Sequence, residues 1–198
     1  MARQDPRDSR RRLLSTVASQ SGYFTAAQAR EAGYSYQAQR YHVARGNWVR
    51  VERGVYRLPE WPPGPHEDLV RWTLWSGGRG TVSHDTALAV HELGDVMPAR
   101  IHLTVPPGFA RRSQAVILHH AQLPPGDLEE REGYSVTTPL RSILDTAASG
   151  IQTDQLARVI EDAIGRGVVT KRVLRSRADE FGSKAALAVE RALLQEVG

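Results

Sequence analysis

The stretch from Gly33 to Pro59, GYSYQAQRYHVARGNWVRVERGVYRLP, decides the fold. It opens on Gly33, a helix stop that tolerates positive φ, and on Ser35, whose hydroxyl can accept from the free amides of a first helical turn. A helix is predicted from there to about Arg45, with Gly46 as its stop. The period then changes. WVRVE alternates apolar and polar residues, Arg53-Gly54 turns the chain, and VYRL returns, which is the pattern of a β-hairpin. With a two-residue turn, Val49, Val51, Tyr56 and Leu58 share one face, Arg50 and Arg57 share the other, and Arg53 stands at the tip.

Upstream, Arg7 to Ser19 reads as a first helix, with Leu13, Leu14, Val17 and Ala18 on a single face. A second, alanine-rich helix begins at Phe24-Thr25, capped by Thr25, and ends at Gly33. Helix, helix-turn-helix and basic hairpin together predict a winged helix-turn-helix over residues 1–58. On the wheel of the third helix, Tyr34, Ala38, Tyr41 and Arg45 form the expected core side, with His42 beside it. Tyr36, Arg40 and Asn47 lie opposite, and Gln37 and Gln39 flank them. Val43 falls on the wrong face of this register.

Charge gives the predicted head a partner. Residues 1–58 hold 11 arginines and no lysine against 4 acids, a net of +7, while residues 59–198 hold 15 basic residues against 18 acids, a net of −3. A basic head on a mildly acidic body fits a polyanion. The third helix would enter a major groove, where glutamine bonds an adenine edge and arginine a guanine edge. The hairpin arginines would lie over phosphates or in a minor groove. The expected DNA-binding residues are Tyr36, Gln37, Gln39, Arg40, Arg50, Arg53 and Arg57. A winged domain used for protein contacts is the alternative.

The stretch PEWPPGP, with four prolines in seven residues, reads as a stiff connector over 59–65. Residues 66–198 then form the expected second domain. Helices are predicted at 66–76 and at HDTALAVHEL, the latter capped by Ser83 and stopped by Gly94. Strands are predicted at 100–105, 115–120 and 134–138. Thr138-Pro139 is an N-cap followed by proline at the first helical position. Further helices follow at about 153–164, 170–178 and 184–196. The fold class is therefore α+β: a winged helix-turn-helix, then a small mixed sheet with helices, ending in helices only.

The second domain offers little chemistry on its face. Five histidines lie between positions 84 and 120: His84, His91, His102, His119 and His120. His84 and His91 are too far apart to chelate in the usual i, i+4 way, and His119 and His120 point to opposite faces of a strand. There is no HExxH and no cysteine. These histidines read as structural, and no metal, cofactor or catalytic residue is expected. Ser83-His84-Asp85 is three adjacent residues, whereas catalytic triads are assembled from separate elements. No apolar run approaches the roughly 18 residues of a membrane span, and a cytoplasmic chain is expected.

Four stretches in order, GNWVRVERGVYRLP, VSHDTALAVHELGD, IHLTVP and GYSVTTPLRSILDTAA, resemble the actinobacterial AbiEi-type antitoxin and transcriptional regulator family of type IV toxin–antitoxin systems. The resemblance implies an N-terminal winged helix-turn-helix that binds repeats of double-stranded DNA in its own promoter. It also implies a C-terminal domain tied to neutralising a nucleotidyltransferase-like toxin. By position, Tyr36, Gln37, Gln39 and Arg40 match the family's recognition helix, and Arg50, Arg53 and Arg57 its wing. The implied function is an autoregulating repressor and antitoxin, acting as two heads or a dimer on DNA. The alternative is an interaction protein whose C-terminal domain binds the toxin, with DNA binding secondary.

Overall fold

Asp5 starts the first helix. Its carboxylate accepts from the Arg7 amide at 2.9 Å and Pro6 fills the first turn, so α1 runs Pro6–Ala18. The computed structural model describes residues 5–195. The chain divides into two units, Met1–Gly80 with Arg131–Tyr134, and Thr81–Glu130 with Ser135–Gly198.

In the first unit, Tyr23–Thr25 forms a short strand, β1, where the sequence predicts the beginning of a helix. Thr25 closes β1 and caps α2 (Ala26–Glu31) through a reciprocal capping box with Gln28. Ser35 caps α3 (Tyr36–Ala44), accepting from the Ala38 amide at 3.2 Å. The hairpin follows as β2 (Val49–Glu52) and β3 (Val55–Arg57). The sheet order is β1-β3-β2, both pairs antiparallel. Helix, strand, two helices and a hairpin make a winged helix-turn-helix.

The hairpin differs from expectation in register. Val49 pairs with Arg57 and Arg50 with Tyr56, but Glu52 already pairs with Val55, so Val51 is an extra residue on β2. Such a bulge swaps the side chains beyond it to the other face. Val49, expected inside, is therefore exposed, while Val55 and Leu58 are buried. Gly54 at the turn has φ 78°, a left-handed conformation that glycine adopts without strain.

The core of this unit joins Leu13 and Val17 of α1 to Phe24, Ala29, Ala32, Trp48 and Leu58. Trp48 is its hub. Its ring meets Phe24 edge-on at 4.8 Å and Tyr34 at 5.0 Å, and stacks on His42 at 4.8 Å.

The proline-rich stretch is not a boundary. Trp61 packs against this core, and its carbonyl accepts from Arg57 at 3.0 Å. The next helix, α4 (Glu67–Trp75), is tied to the hairpin by Arg57–Glu67 at 3.2 Å and by a close Arg71–Glu52 pair. Two ion pairs and a carbonyl bond hold residues that the sequence reading assigned to a connector and a second domain. The division falls after Gly80 instead of at 59–65.

The second unit is built on a five-stranded sheet of order β6-β5-β4-β8-β7, with β4 Thr81–Val82, β5 Ile101–Val105, β6 Val116–His120, β7 Leu128–Arg131 and β8 Tyr134–Thr137. β4 runs antiparallel to β5 and parallel to β8, and β5 runs parallel to β6. Five helices accompany it: α5 His84–Val90, α6 Pro139–Ser149, α7 Thr153–Gly165, α8 Lys171–Ala178 and α9 Ser183–Gln195. Their apolar faces make one core, including Leu88, Ile143, Leu144, Leu156, Ile160, Leu174 and Val189. The predicted end of the last helix at residue 196 lies outside the described residues. Gly94, past α5, has φ 63°, and a Cβ there would meet the Val159 backbone at 2.8 Å. Glycine is required by conformation and by close approach at once.

A buried ionic network crosses this unit. Arg141 donates to Asp145 at 3.0 Å and to Asp127 at 2.9 Å, and Arg177 reaches the other Asp127 oxygen at 3.4 Å. Burial pushes the Asp145 carboxyl up against the lowering effect of Arg141. No helix among the described residues is long and apolar enough to cross a membrane.

Candidate nucleic-acid interface

The orientation of α3 is set by what it buries. Gln39 is 2% exposed, and its amide nitrogen donates to the carbonyls of Ala26 and Tyr34, both at 3.1 Å. His42 stacks on Trp48, and Val43 packs against the same core. Burial lowers the His42 pKa, which keeps the ring neutral in that stack. The face running through Gln39, His42 and Val43 is therefore the inner one.

Gln39 is a correction. The sequence reading placed it at the edge of the reading face, and the structure uses it as a polar clamp between α3 and the start of α2. Tyr41 is the converse: expected in the core, it is 56% exposed. The register is rotated because Val43, the one aliphatic β-branched residue of the helix, belongs inside. Its misfit on the predicted wheel was the available signal, and it pointed to Gln39.

The outer face carries Tyr36, Gln37, Arg40, Tyr41 and Ala44, all exposed. At 100° per residue these span an arc of about 140°. No acid lies on α3. Tyr36, 63% exposed, is steadied from α2 by Arg30, which donates to its hydroxyl at 3.2 Å and lies 5.3 Å from its ring centre. Arg45 sits 5.5 Å from the Tyr41 ring in the same way. Arg30, Tyr41 and Arg45 extend the basic, aromatic face beyond the residues singled out from sequence. Arg40 has no ion-pair partner among the described residues.

The hairpin contributes unequally. Arg53 is exposed at the turn, and Arg50 is exposed with only a 3.4 Å bond from its Nε to the Glu52 carbonyl. Arg57 is a second correction. Instead of facing a partner, it bonds the Trp61 carbonyl and pairs with Glu67, its side chain 18% exposed. Its charge is neutralised within the first unit. Of seven residues expected to bind DNA, Tyr36, Gln37, Arg40, Arg50 and Arg53 are exposed on α3 and the wing, and Gln39 and Arg57 are engaged internally.

This arrangement offers a guanidinium fork, an amide and two phenol rings on one helix, flanked by cations on a hairpin. Such groups bond base edges and phosphates and stack on planar surfaces.

Comparisons with known proteins agree with this architecture. Residues 11–59 match a family described as "Transcriptional regulator, AbiEi antitoxin". No curated protein matches the chain. Among solved structures, a protein from Mycobacterium tuberculosis, Rv2827c, superposes with a TM-score of 0.58 at 15% identity, covering 96% of this chain and 79% of that one. At that identity the likeness is one of fold. The matched segment runs from α1 through the wing, so over that segment the chain is similar to the AbiEi antitoxin family of transcriptional regulators.

Proposed function

We propose that the chain is a sequence-specific DNA-binding repressor of antitoxin type that regulates its own promoter within a type IV toxin–antitoxin system. Arg40, with Gln37, reads base edges. Tyr36 and Tyr41 line the groove, and Arg50 and Arg53 hold phosphates. The observation that carries this reading is the acid-free outer arc of α3, set in a first third of the chain with a net charge of +7. A surface for an acidic protein would need no planar, bidentate donors in a row along one helix. The reading invokes no catalytic step, cofactor or membrane, and it places the chain in the cytoplasm with the chromosome.

A single recognition module covers only about 600–1,000 Å² of protein on DNA, so two heads on repeated sites are expected. Neutralisation of a nucleotidyltransferase-like toxin is the second activity of the proposed system and is assigned to the second unit.

Selection of bound duplexes from a random pool tests the reading. Wild type should enrich one short motif. Arg40→Ala should relax preference at one base pair of it, at a cost of about 1–3 kcal/mol. Enrichment of no motif by wild type would remove sequence-specific recognition, and an unchanged motif in the variant would remove Arg40 from base reading.

A further inference from the structure

Three histidines far apart in sequence converge in the second unit. His84 opens α5, His102 lies on β5 and His119 on β6. The parallel register pairs His102 with Ile117 and Thr104 with His119, so His102, Thr104 and His119 share one face of the sheet. His102 Nδ1 and His119 Nε2 stand 3.1 Å apart. The rings of His84 and His119 stack at 3.4 Å, and one nitrogen from each of the three histidines falls within 4.8 Å of the others. We propose that His84, His102 and His119 form a binding site for a borderline divalent transition-metal ion, zinc foremost, which staples the start of α5 to β5 and β6.

Geometry is the first argument. Two imidazole nitrogens bound to zinc at about 2.0–2.1 Å in tetrahedral arrangement stand about 3.3 Å apart. The His102–His119 pair is already at that separation. One proton can serve this pair as a hydrogen bond, but the third ring is then pressed face to face on His119, an arrangement that aromatic rings disfavour. A cation that takes a lone pair from each ring satisfies all three together.

The surroundings are those of a ligand set. Thr104 donates to Ser83 Oγ at 2.8 Å, and Ser83 Oγ lies 3.0 Å from His84 Nδ1. Ser83 was expected to cap α5, yet its side chain makes no cap bond and serves this chain instead. With Nδ1 so engaged, His84 has Nε2 left for a ligand, as in metal sites where an outer hydrogen bond fixes the ring. His84 also holds φ 53°, the left-handed region that a non-glycine residue occupies at a cost. Burial lowers the pKa of all three rings, to about 3 for His84 and about 4 for His119, which leaves them neutral and able to donate lone pairs at physiological pH. The Asp85 carboxylate favours positive charge at His102, while Arg100 and Arg141 oppose it at His102 and His84.

The donor set names the class of ion. Three imidazoles without carboxylate suit zinc, copper, nickel or cobalt, and disfavour magnesium and calcium. Three protein ligands leave a fourth position for water or a small ligand.

The test uses the untagged full chain, stripped with chelator and titrated with zinc. One equivalent should bind, should raise the melting temperature by several degrees, and should not be displaced by excess magnesium. Cobalt in its place should give the intense visible absorption of a tetrahedral ion. His102→Gln and His119→Gln, which keep polar side chains, should lose most of the affinity, whereas His91→Ala and His120→Ala should retain it. Wild type that binds no stoichiometric zinc and shows no thermal shift overturns the site. So does binding that the His102 and His119 substitutions leave intact. The thermal shift is read on wild type, so a variant that fails to fold does not shelter the proposal.

Discussion

Arginine does opposite work in the two units. In the second, Arg141 is nearly enclosed, with its side chain 11% exposed, and shares its donors between Asp127 and Asp145. Arg177 completes the set from α8. In the first, Arg40 and Arg53 stand in solvent without a carboxylate among the described residues. The same guanidinium is a bolt in one place and an unspent donor in the other. What separates them is the supply of acids. Residues 59–198 carry 18 acids, and residues 1–58 carry 4. Of those four, Glu52 is held by Arg71 and Asp8 by Arg11. A chain that leaves cations unpaired on a helix and at a hairpin tip keeps them available to a partner, because desolvation and ordering have not been met internally.

The contrast can be broken by substitution. Arg141→Ala should be the most damaging, because it leaves two buried carboxylates facing one another. A loss of about 3–5 kcal/mol in unfolding free energy is expected, read from urea titration of the full chain. A loss below 1 kcal/mol would mean that the network is ornamental. Arg57→Ala comes next and tests which side of the divide Arg57 belongs to. Its bonds to Trp61 and Glu67 predict about 1–3 kcal/mol of destabilisation, with the salt dependence of DNA binding unchanged. A reduced salt slope at full stability would return Arg57 to the wing. Two glutamines sharpen the comparison within one helix. Gln39→Ala should cost about 1–2 kcal/mol of stability through its two lost hydrogen bonds and leave the selected DNA motif intact. Gln37→Ala should do the reverse. The smallest effect is that of Arg53→Ala, which should melt with wild type and lower the salt exponent of DNA binding by about one phosphate contact.

Much of this was legible in the sequence, for reasons that differ by element. The helices at 153–165 and 171–178 fall within a residue of expectation, because a wide apolar stripe and a capping threonine are local signals. Thr138 and Pro139 start α6 as read, with the Thr138 hydroxyl accepting from Arg141. β1 was missed because a three-residue strand is specified by its partner, Val55–Arg57, some thirty positions away. β7 was missed because LEER shows no apolar alternation, and as an edge strand it needs none. The bulge at Val51 is decided by the fit of β2 to β3 and is invisible to a period of two. Gln39 was misplaced because a polar residue on a wheel is assumed to face out, whereas the carbonyls of Ala26 and Tyr34 beneath it accept from its amide and make burial favourable. The histidine cluster could not be found by spacing, since its members come from a helix and two strands that only the sheet brings together.

The shortness of α3 has a consequence of its own. Nine residues at 1.5 Å each give a rod about 14 Å long, which spans about four steps of a 3.4 Å base stack. A four-letter word turns up by chance about once in 250 positions of random sequence, far too often to mark one address in a bacterial chromosome of millions. Reading the word twice multiplies the odds against coincidence, to about one in 65,000. On the proposed reading, repetition in the operator is then an informational requirement written into the length of a single helix.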